Sequence, residues 1–287
     1  MNKMISREEI LKQADSLPTL PTAVARLSEL IGDPNVRARD IEEVILPDPS
    51  LTANLLRLAN SAYFGLRREV ESVRQAVTLM GEKRVFELAA GASFSRILPP
   101  TIPGYGIESS QFWMHSIAVA ILSEILAKET RTGSPNLLFT AGLLHDIGKL
   151  VVGSFLVDCS QEVSTLVKEK GVTFFKAEKE VLGVNHSEIG SDVATLWNLP
   201  EAVLWGTRWH HNPGEIPDDV DGMLIDLIHT ADALANALGY GSDSCDFAQS
   251  VEAGAIERLG LDLEGLEIVA GETQDKILAM GKMFSGG

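Results

Sequence analysis

Apolar positions recur along this chain at steps of three and four and almost nowhere in strict alternation, so nearly every periodic segment reads as helix. Ser6, Arg7, Glu8 and Glu9 form a capping box ahead of Ile10 and Leu11. The proline-punctuated stretch Leu17 to Thr22 leads into a helix with Val24, Leu27, Leu30 and Ile31 inward, stopped by Gly32-Asp33-Pro34. A cap at Asp40 to Glu43 accompanies Ile41, Val44 and Ile45. Asp48-Pro49-Ser50 opens the helix of Leu51, Leu55, Leu58 and Ala59, because proline is tolerated in a first helical turn. The run Asn60 to Gly65 breaks it. One helix then starts at Ser72 and breaks at Gly81, and another runs from Glu82 to about Ile97.

Proline and glycine concentrate between Pro99 and Tyr105, which marks a boundary near residue 105. Beyond it a long helix is expected from about Ser110 to Lys128. Ser134-Pro135 caps a further helix that ends in Leu143-Leu144-His145-Asp146-Ile147-Gly148-Lys149. There Leu138, Ala141 and His145 fall on one face, and Asp146 sits about 100° round the same helix. Shorter helices follow at Asp158 to Lys170, Phe174 to Leu182, Ser187 to Trp197 and Pro200 to His210. After a Pro/Asp/Gly loop, Asn212 to Asp221, comes a helix from Gly222 to Leu238. An acidic tail becomes helical again towards Phe284. The fold class is all-α: an N-terminal helical bundle (1–105) packed against a second helical unit (106–240), with a C-terminal helical extension (241–287).

Composition narrows the function. With 287 residues, 45% hydrophobic and 22% charged, the chain can bury a sizeable core. No run approaches the roughly 18 uncharged apolar residues of a membrane span, and the N-terminus reads as an amphipathic helix, so a cytoplasmic location without membrane association is expected. The net charge of −16 argues against a nucleic-acid partner, although a small phosphate-bearing ligand remains compatible with a locally positive pocket. Cys159 and Cys245 are far apart and outside any CxxC, which fits reduced structural thiols.

The candidate chemistry lies in the placement of the histidines. His115, His145, His186, His210 and His211, together with Asp146 and Asp232, sit at positions aimed at helical faces or helix ends. A single inward histidine is readily satisfied by a backbone carbonyl, an inward aspartate by a polar network, and a His-His pair at a helix end by water. Jointly, seven such side chains are costly to bury without a cation, and imidazole with carboxylate is a transition-metal donor set. His229, three residues before Asp232, faces a neighbouring side and suits packing or support. Lys149 and Arg208 could each address a phosphate or be ordinary surface cations.

The blocks LPTLPTAVARLSELIGDP, ILPDPSLTANLLRLANSAYFG and VESVRQAVTLMGEKRV resemble the first half of the HDOD domain. WMHSIAVA, LLHDIGKL, EVLGVNHSEIGSDVATLWNLP, WHHNP and HTADALANAL resemble its second half and the extension after it, in order from about Leu17 to Leu238. HDOD domains are relatives of the HD phosphohydrolases, so the resemblance implies an HD-like subdomain over 106–240 in a bacterial, cytosolic signalling protein. Compared with HD-GYP phosphodiesterases, His115, His145, Asp146, His186, His210, His211 and Asp232 fall on metal-ligand positions and Lys149 on the motif's lysine. There are two departures: Asn-Pro-Gly-Glu-Ile-Pro follows His210-His211 in place of GYP, and Gln111 stands where some relatives carry a ligating glutamate.

Two functions are consistent with this. The first is a regulatory HDOD protein with a metal-loaded HD-type site and a regulatory protein as partner. The alternative is a metal-dependent phosphohydrolase or phosphodiesterase acting on a nucleotide or other phosphoester. In that case the chain would carry one or two divalent metals (Fe, Mn, Ni or Zn), and with two of them Asp146 would bridge the pair. His115, His145 and Asp232 would complete one site and His186, His210 and His211 the other, with Lys149 stabilising charge on the phosphate.

Overall fold

A computed structural model describes residues 7–14, 22–31, 35–61, 63–133, 135–241 and 251–281. Ser6 of the first capping box, the Leu17–Pro21 stretch, the Gly32–Pro34 stop, the Ser134 cap and Cys245 lie outside the described residues; Cys159 is a free, half-buried thiol. The described chain is helical apart from one two-residue ladder. Six helices come first: α1 (Arg7–Ala14), α2 (Thr22–Ile31), α3 (Ala38–Ile45), α4 (Pro49–Ala59), α5 (Val73–Met80) and α6 (Glu82–Ile97). Asp48 accepts from the Ser50 and Leu51 amides and Ser72 from that of Gln75, so α4 and α5 start where their caps predict. The α3 helix begins two residues before the expected cap, because Asp40 reaches back to the Arg37 amide from its first turn. Val24, Leu27, Ile41, Ile45, Leu51, Leu55, Val73 and Val85 are the buried stripes of α2 to α6 and close their shared core.

The proline-glycine segment folds as β1 (Thr101–Ile102) and β2 (Ile107–Glu108), paired antiparallel with Ile102 opposite Ile107. Next come α7 (Ser109–Thr130), α8 (Pro135–Leu144), α9 (Lys149–Leu156), α10 (Ser160–Lys170), α11 (Phe174–Leu182), α12 (His186–Leu196), α13 (Glu201–Trp209) and α14 (Gly222–Ala235). The chain closes with α15 (Ala253–Leu259) and α16 (Leu263–Gly281). By length and apolarity alone α7 could cross a bilayer, but 83% of its most apolar window is buried inside the protein. It is the central rod on which α8, α14 and α16 pack. The first helix leaves its sequence neighbours: α1 packs on α9 and α12, and Arg7 makes a two-pronged pair with Asp192 at 2.7 and 3.0 Å.

Two close approaches set where the site forms. A Cβ on Gly142 of α8 would lie 2.9 Å from the Val119 carbonyl of α7, so glycine lets the two helices touch. A Cβ on Gly148 would lie 1.9 Å from the His186 carbonyl oxygen, so the turn before α9 meets the start of α12 backbone to backbone.

Candidate metal centre

Five segments deliver the candidate side chains. His115 comes from the second turn of α7 and Asp232 from α14; His186 is the first residue of α12, held by the Asn185 cap. His210 caps the C-terminal end of α13, with His211 after it. His145 and Asp146 were expected on the helix of Leu138 and Ala141. Instead α8 ends at Leu144, residues 145–148 form a turn, and Lys149 opens a new helix, α9, that periodicity did not separate. The turn is closed by Ile147 N–H to Leu144 O (3.0 Å) and Lys149 N–H to Asp146 O (2.9 Å). It projects His145 towards α7 and Asp146 towards α12.

The fold brings all seven residues together. His115 Nε2 lies 3.2 Å from His145 Nε2 and 3.3 Å from Asp232 Oδ1. His186 Nε2 lies 2.9 Å from His211 Nε2 and 3.3 Å from Asp146 Oδ1. Asp146 stands between the two groups: its Oδ2 is 3.5 Å from His145 Nε2, and its Oδ1 is 3.8 Å from His210 Nε2. Three sets have all their donor atoms within 4.8 Å of one another: Asp146-His186-His210-His211, His115-His145-Asp146 and His145-His210-Asp232. Lys149 is buried, not a surface cation, and its Nζ is 2.7 Å from Asp146 Oδ2. Of these eight residues only His211 is appreciably exposed; none of the others exceeds 3%.

Hydrogen bonds on the outer edge fix the proton of four rings. Nδ1 of His115 meets the Tyr240 carbonyl at 3.0 Å, Nδ1 of His145 the Gly142 carbonyl at 2.7 Å, and Nδ1 of His210 the Thr207 carbonyl at 2.9 Å. Nδ1 of His186 meets the Glu178 carboxylate at 2.9 Å. Carbonyl and carboxylate oxygens only accept, so each of these Nδ1 atoms carries a proton, and each ring turns its Nε2 inward. The Nε2 of His210 and Oδ1 of Asp146 are buried and make no hydrogen bond among the described residues, while Asp146 Oδ2 is met by Lys149 Nζ. Nitrogen and oxygen donors facing one another at 2.9 to 3.8 Å, four of the rings braced from behind, fit divalent metal ions.

Electrostatics points the same way. Burial pushes the imidazolium forms of His145 and His211 down, and that of His210 down to about 3, so these rings are neutral ligands at pH 7. Burial opposes ionisation of Asp146, but Lys149, followed by His145, His186 and His115, holds its carboxyl well below the usual range. Burial likewise opposes the Asp232 charge, and the hydrogen bond to His115 overcomes it, lowering the carboxyl. Both aspartates are therefore carboxylates.

Several supporting residues escaped the sequence reading. Glu178 of α11 is fully buried, accepts from both Nδ1 and the backbone N–H of His186, and takes the Tyr105 hydroxyl at 2.8 Å. Its signal was present: Phe174, Glu178 and Leu182 recur at steps of four, a carboxylate on an apolar stripe. The Tyr240 carbonyl carries no side-chain signature at all. Of the residues left open, His229 donates from Nδ1 to the His210 carbonyl (2.7 Å) and stands behind the centre. Arg208 pairs with Glu188 at 3.2 Å and lies over the Trp209 ring. Gln111 accepts the Glu108 amide in the first turn of α7.

Fold and site together define an all-helical protein built round a histidine- and aspartate-lined interior. The HDOD domain matches residues 17–213, and the chain belongs to the HDOD domain family. The solved structure of a Shewanella amazonensis SB2B protein, provisionally assigned as a phosphohydrolase, is similar over 98% of this chain and all of its own, with 26% identity and a TM-score of 0.76. A Marinobacter aquaeolei VT8 protein, provisionally assigned to signal transduction, matches 99% of this chain and 62% of its own, with 26% identity and a TM-score of 0.75. An uncharacterized protein of Treponema pallidum (strain Nichols) is 29% identical over 218 residues, 75% of this chain; that match spans 41% of the relative's length.

Proposed function

We propose that this HDOD protein holds one or two divalent transition metals on His115, His145, Asp146, His186, His210, His211 and Asp232, and uses them to hydrolyse a phosphoester. The observation that carries this reading is the convergence of donors at the core of the site, where Asp146 Oδ1 and His210 Nε2 make no hydrogen bond among the described residues and the Nε2 atoms of His115 and His145, and of His186 and His211, face each other. When bound, two such ions supply a hydroxide at neutral pH and neutralise phosphoryl oxygens. The chain's own contribution is positional. Asp146 lies between the two donor groups, and Lys149 Nζ adds a buried positive charge 2.7 Å from it, where charge grows on a phosphate.

The His211 ring lies 5.0 Å from that of Phe175, which lines a neighbouring cleft of about 420 Å³ together with Trp209, Lys176, Lys179, Arg208, Glu188 and Glu215. Lys179 and Arg208 both pair with Glu188, so the cleft offers two aromatic rings beside three cations and two carboxylates, a lining that suits a ligand with a flat apolar part and a charged group, such as a nucleotide. The test is hydrolysis of bis(p-nitrophenyl) phosphate and a nucleotide panel by protein loaded with Mn(II) or Fe(II), beside chelated protein and Asp146→Asn. Metal-dependent turnover abolished in the variant is expected. Turnover that persists in Asp146→Asn overturns the reading.

A second reading, a regulatory module whose output is a protein contact, has its own observation. Among the described residues, helices α2 to α6 contribute no donor to the centre, yet they reach its central helix: Arg84 of α6 grips Glu124 of α7 at 2.7 and 2.9 Å. Metal uptake without turnover on the panel, with retained binding of a protein partner, selects this reading.

A further inference from the structure

The metal centre does not close with the residues that match the HDOD domain. Besides the donor Asp232, two contacts reach it from the chain beyond residue 213, and a third holds one of these in place. The Tyr240 carbonyl takes the Nδ1 proton of His115 at 3.0 Å. The His229 ring donates from Nδ1 to the His210 carbonyl at 2.7 Å, and its Nε2 accepts the backbone N–H of Glu252 at 3.0 Å. His229 is therefore a bridge, with one nitrogen on the backbone of a donor residue and the other on the start of α15. It is buried, and both of its ring nitrogens are used.

The segment that carries Glu252 is tied down on either side of this bridge. Arg258 of α15 donates through Nε and Nη2 to the two oxygens of Asp226, both at 2.7 Å. Asp226 is 1% exposed and lies one turn before His229 on α14, the helix that also presents Asp232. At the other end α16 runs along α7. Its Gly281 comes so close to Met114 that a Cβ there would lie 1.9 Å from Sδ, beside His115. One C-terminal segment thus touches the supports of His115, of His210 and of the helix of Asp232.

We propose that Tyr240 and residues 251–281 act as a clamp on the metal centre, with His229 as the positioning residue that transmits the hold of α15 to His210. The proposal rests on the metal reading above. Outer hydrogen bonds fix ring orientation and basicity, and their loss commonly weakens metal binding 10–100-fold. A clamp made of one backbone amide, one carbonyl and one half-exposed arginine can be lifted without disturbing any donor atom. Whatever displaces α15 then sets how long the ions stay.

The probe is Co(II) alone, whose d–d absorption reports ligand geometry and whose release to an excess of chelator gives a rate. Three variants of the full chain are compared with the wild type. His229→Phe removes both ring contacts. His229→Asn keeps a donor where Nδ1 stood but cannot reach Glu252. Asp226→Asn/Arg258→Met removes the ion pair without leaving a buried charge alone. The expected result is an altered d–d spectrum and release about tenfold faster or more for His229→Phe, and partial rescue of the spectrum by His229→Asn. The double variant should release faster with a wild-type spectrum. Wild-type release rates in the folded double variant and in His229→Asn overturn the clamp even if His229→Phe does not fold. A wild-type chain that takes up no Co(II) overturns the metal reading itself, and the clamp with it.

Discussion

His186 faces His211 across 2.9 Å, Nε2 to Nε2, while its own Nδ1 is held by Glu178. The carboxylate raises the pKa of His186 against the effect of burial, which makes the ring a better donor. Glu178→Gln is the sharpest test of this support. The amide can still accept one of the two N–H groups, but its NH₂ must then face the other. Calorimetric titration with Zn(II) should show binding weakened 10–100-fold. An affinity within twofold of wild type would reduce Glu178 to a packing residue.

The division of donors into two groups predicts a stoichiometry. His115 belongs only to the group with His145 and Asp146, and His211 only to the group with His186 and His210. Elemental analysis of metal-supplemented protein should find about one ion fewer in His115→Ala and in His211→Ala, because each change empties one side. Asp146→Asn, which touches both, should lose nearly all. Equal loss in all three variants would argue for one shared ion.

The donors were legible in the sequence because each is a polar side chain on an otherwise apolar face, or a histidine at a helix end. The helix period places His115 and Asp232 inward with little ambiguity. It misplaces His145 and Asp146, since Leu138, Ala141 and His145 keep the helix period into the motif at which the helix was expected to end, whereas the chain turns over 145–148, where Gly148 meets the His186 carbonyl. Supports that are backbone atoms, such as the Tyr240 carbonyl and the Glu252 amide, leave no residue signature, so periodicity could not reveal them. The packing of α1 on α9 and α12 is silent for the same reason: an amphipathic stripe states that a face is buried, not against what.

That contact at Gly148 gives a stability prediction. Gly148→Ala places a methyl 1.9 Å from the His186 carbonyl, which is backbone and cannot swing aside. Thermal or urea unfolding should show a loss of roughly 1–3 kcal/mol or more, the range of overpacked core sites, together with reduced metal content. Gly271→Ala is the matched control. It lies in the interior of α16 with nothing within 4 Å, and should gain up to about 1 kcal/mol from helix propensity. Equal effects at the two positions would mean that the close crossing does not constrain the fold.

The contact between the halves carries a pH prediction of its own. Arg84 of α6 is shared by two buried carboxylates: Glu87 at 2.6 Å and Glu124 of α7 at 2.7 Å. Burial raises the Glu124 carboxyl, but the hydrogen bond from Arg84, with help from Lys128 and Tyr63, outweighs it, so Glu124 keeps its charge and its pKa is lowered. Glu87 loses that competition. Burial pushes its carboxyl up to about 8, Arg84 only partly offsets the rise, and its Oε1 has no hydrogen-bond partner. The unfolded chain gives up this proton near the ordinary glutamate value while the folded chain keeps it. The stability contributed by the neutral form is therefore complete below about pH 4 and is lost as pH rises towards 8. Glu87→Gln holds the neutral state at every pH. Its melting temperature should match the wild type near pH 5 and exceed it near pH 9, by an amount corresponding to roughly 1–3 kcal/mol. A constant offset between the two proteins across that range would show that Glu87 is already ionised in the folded chain, with Arg84 serving both carboxylates.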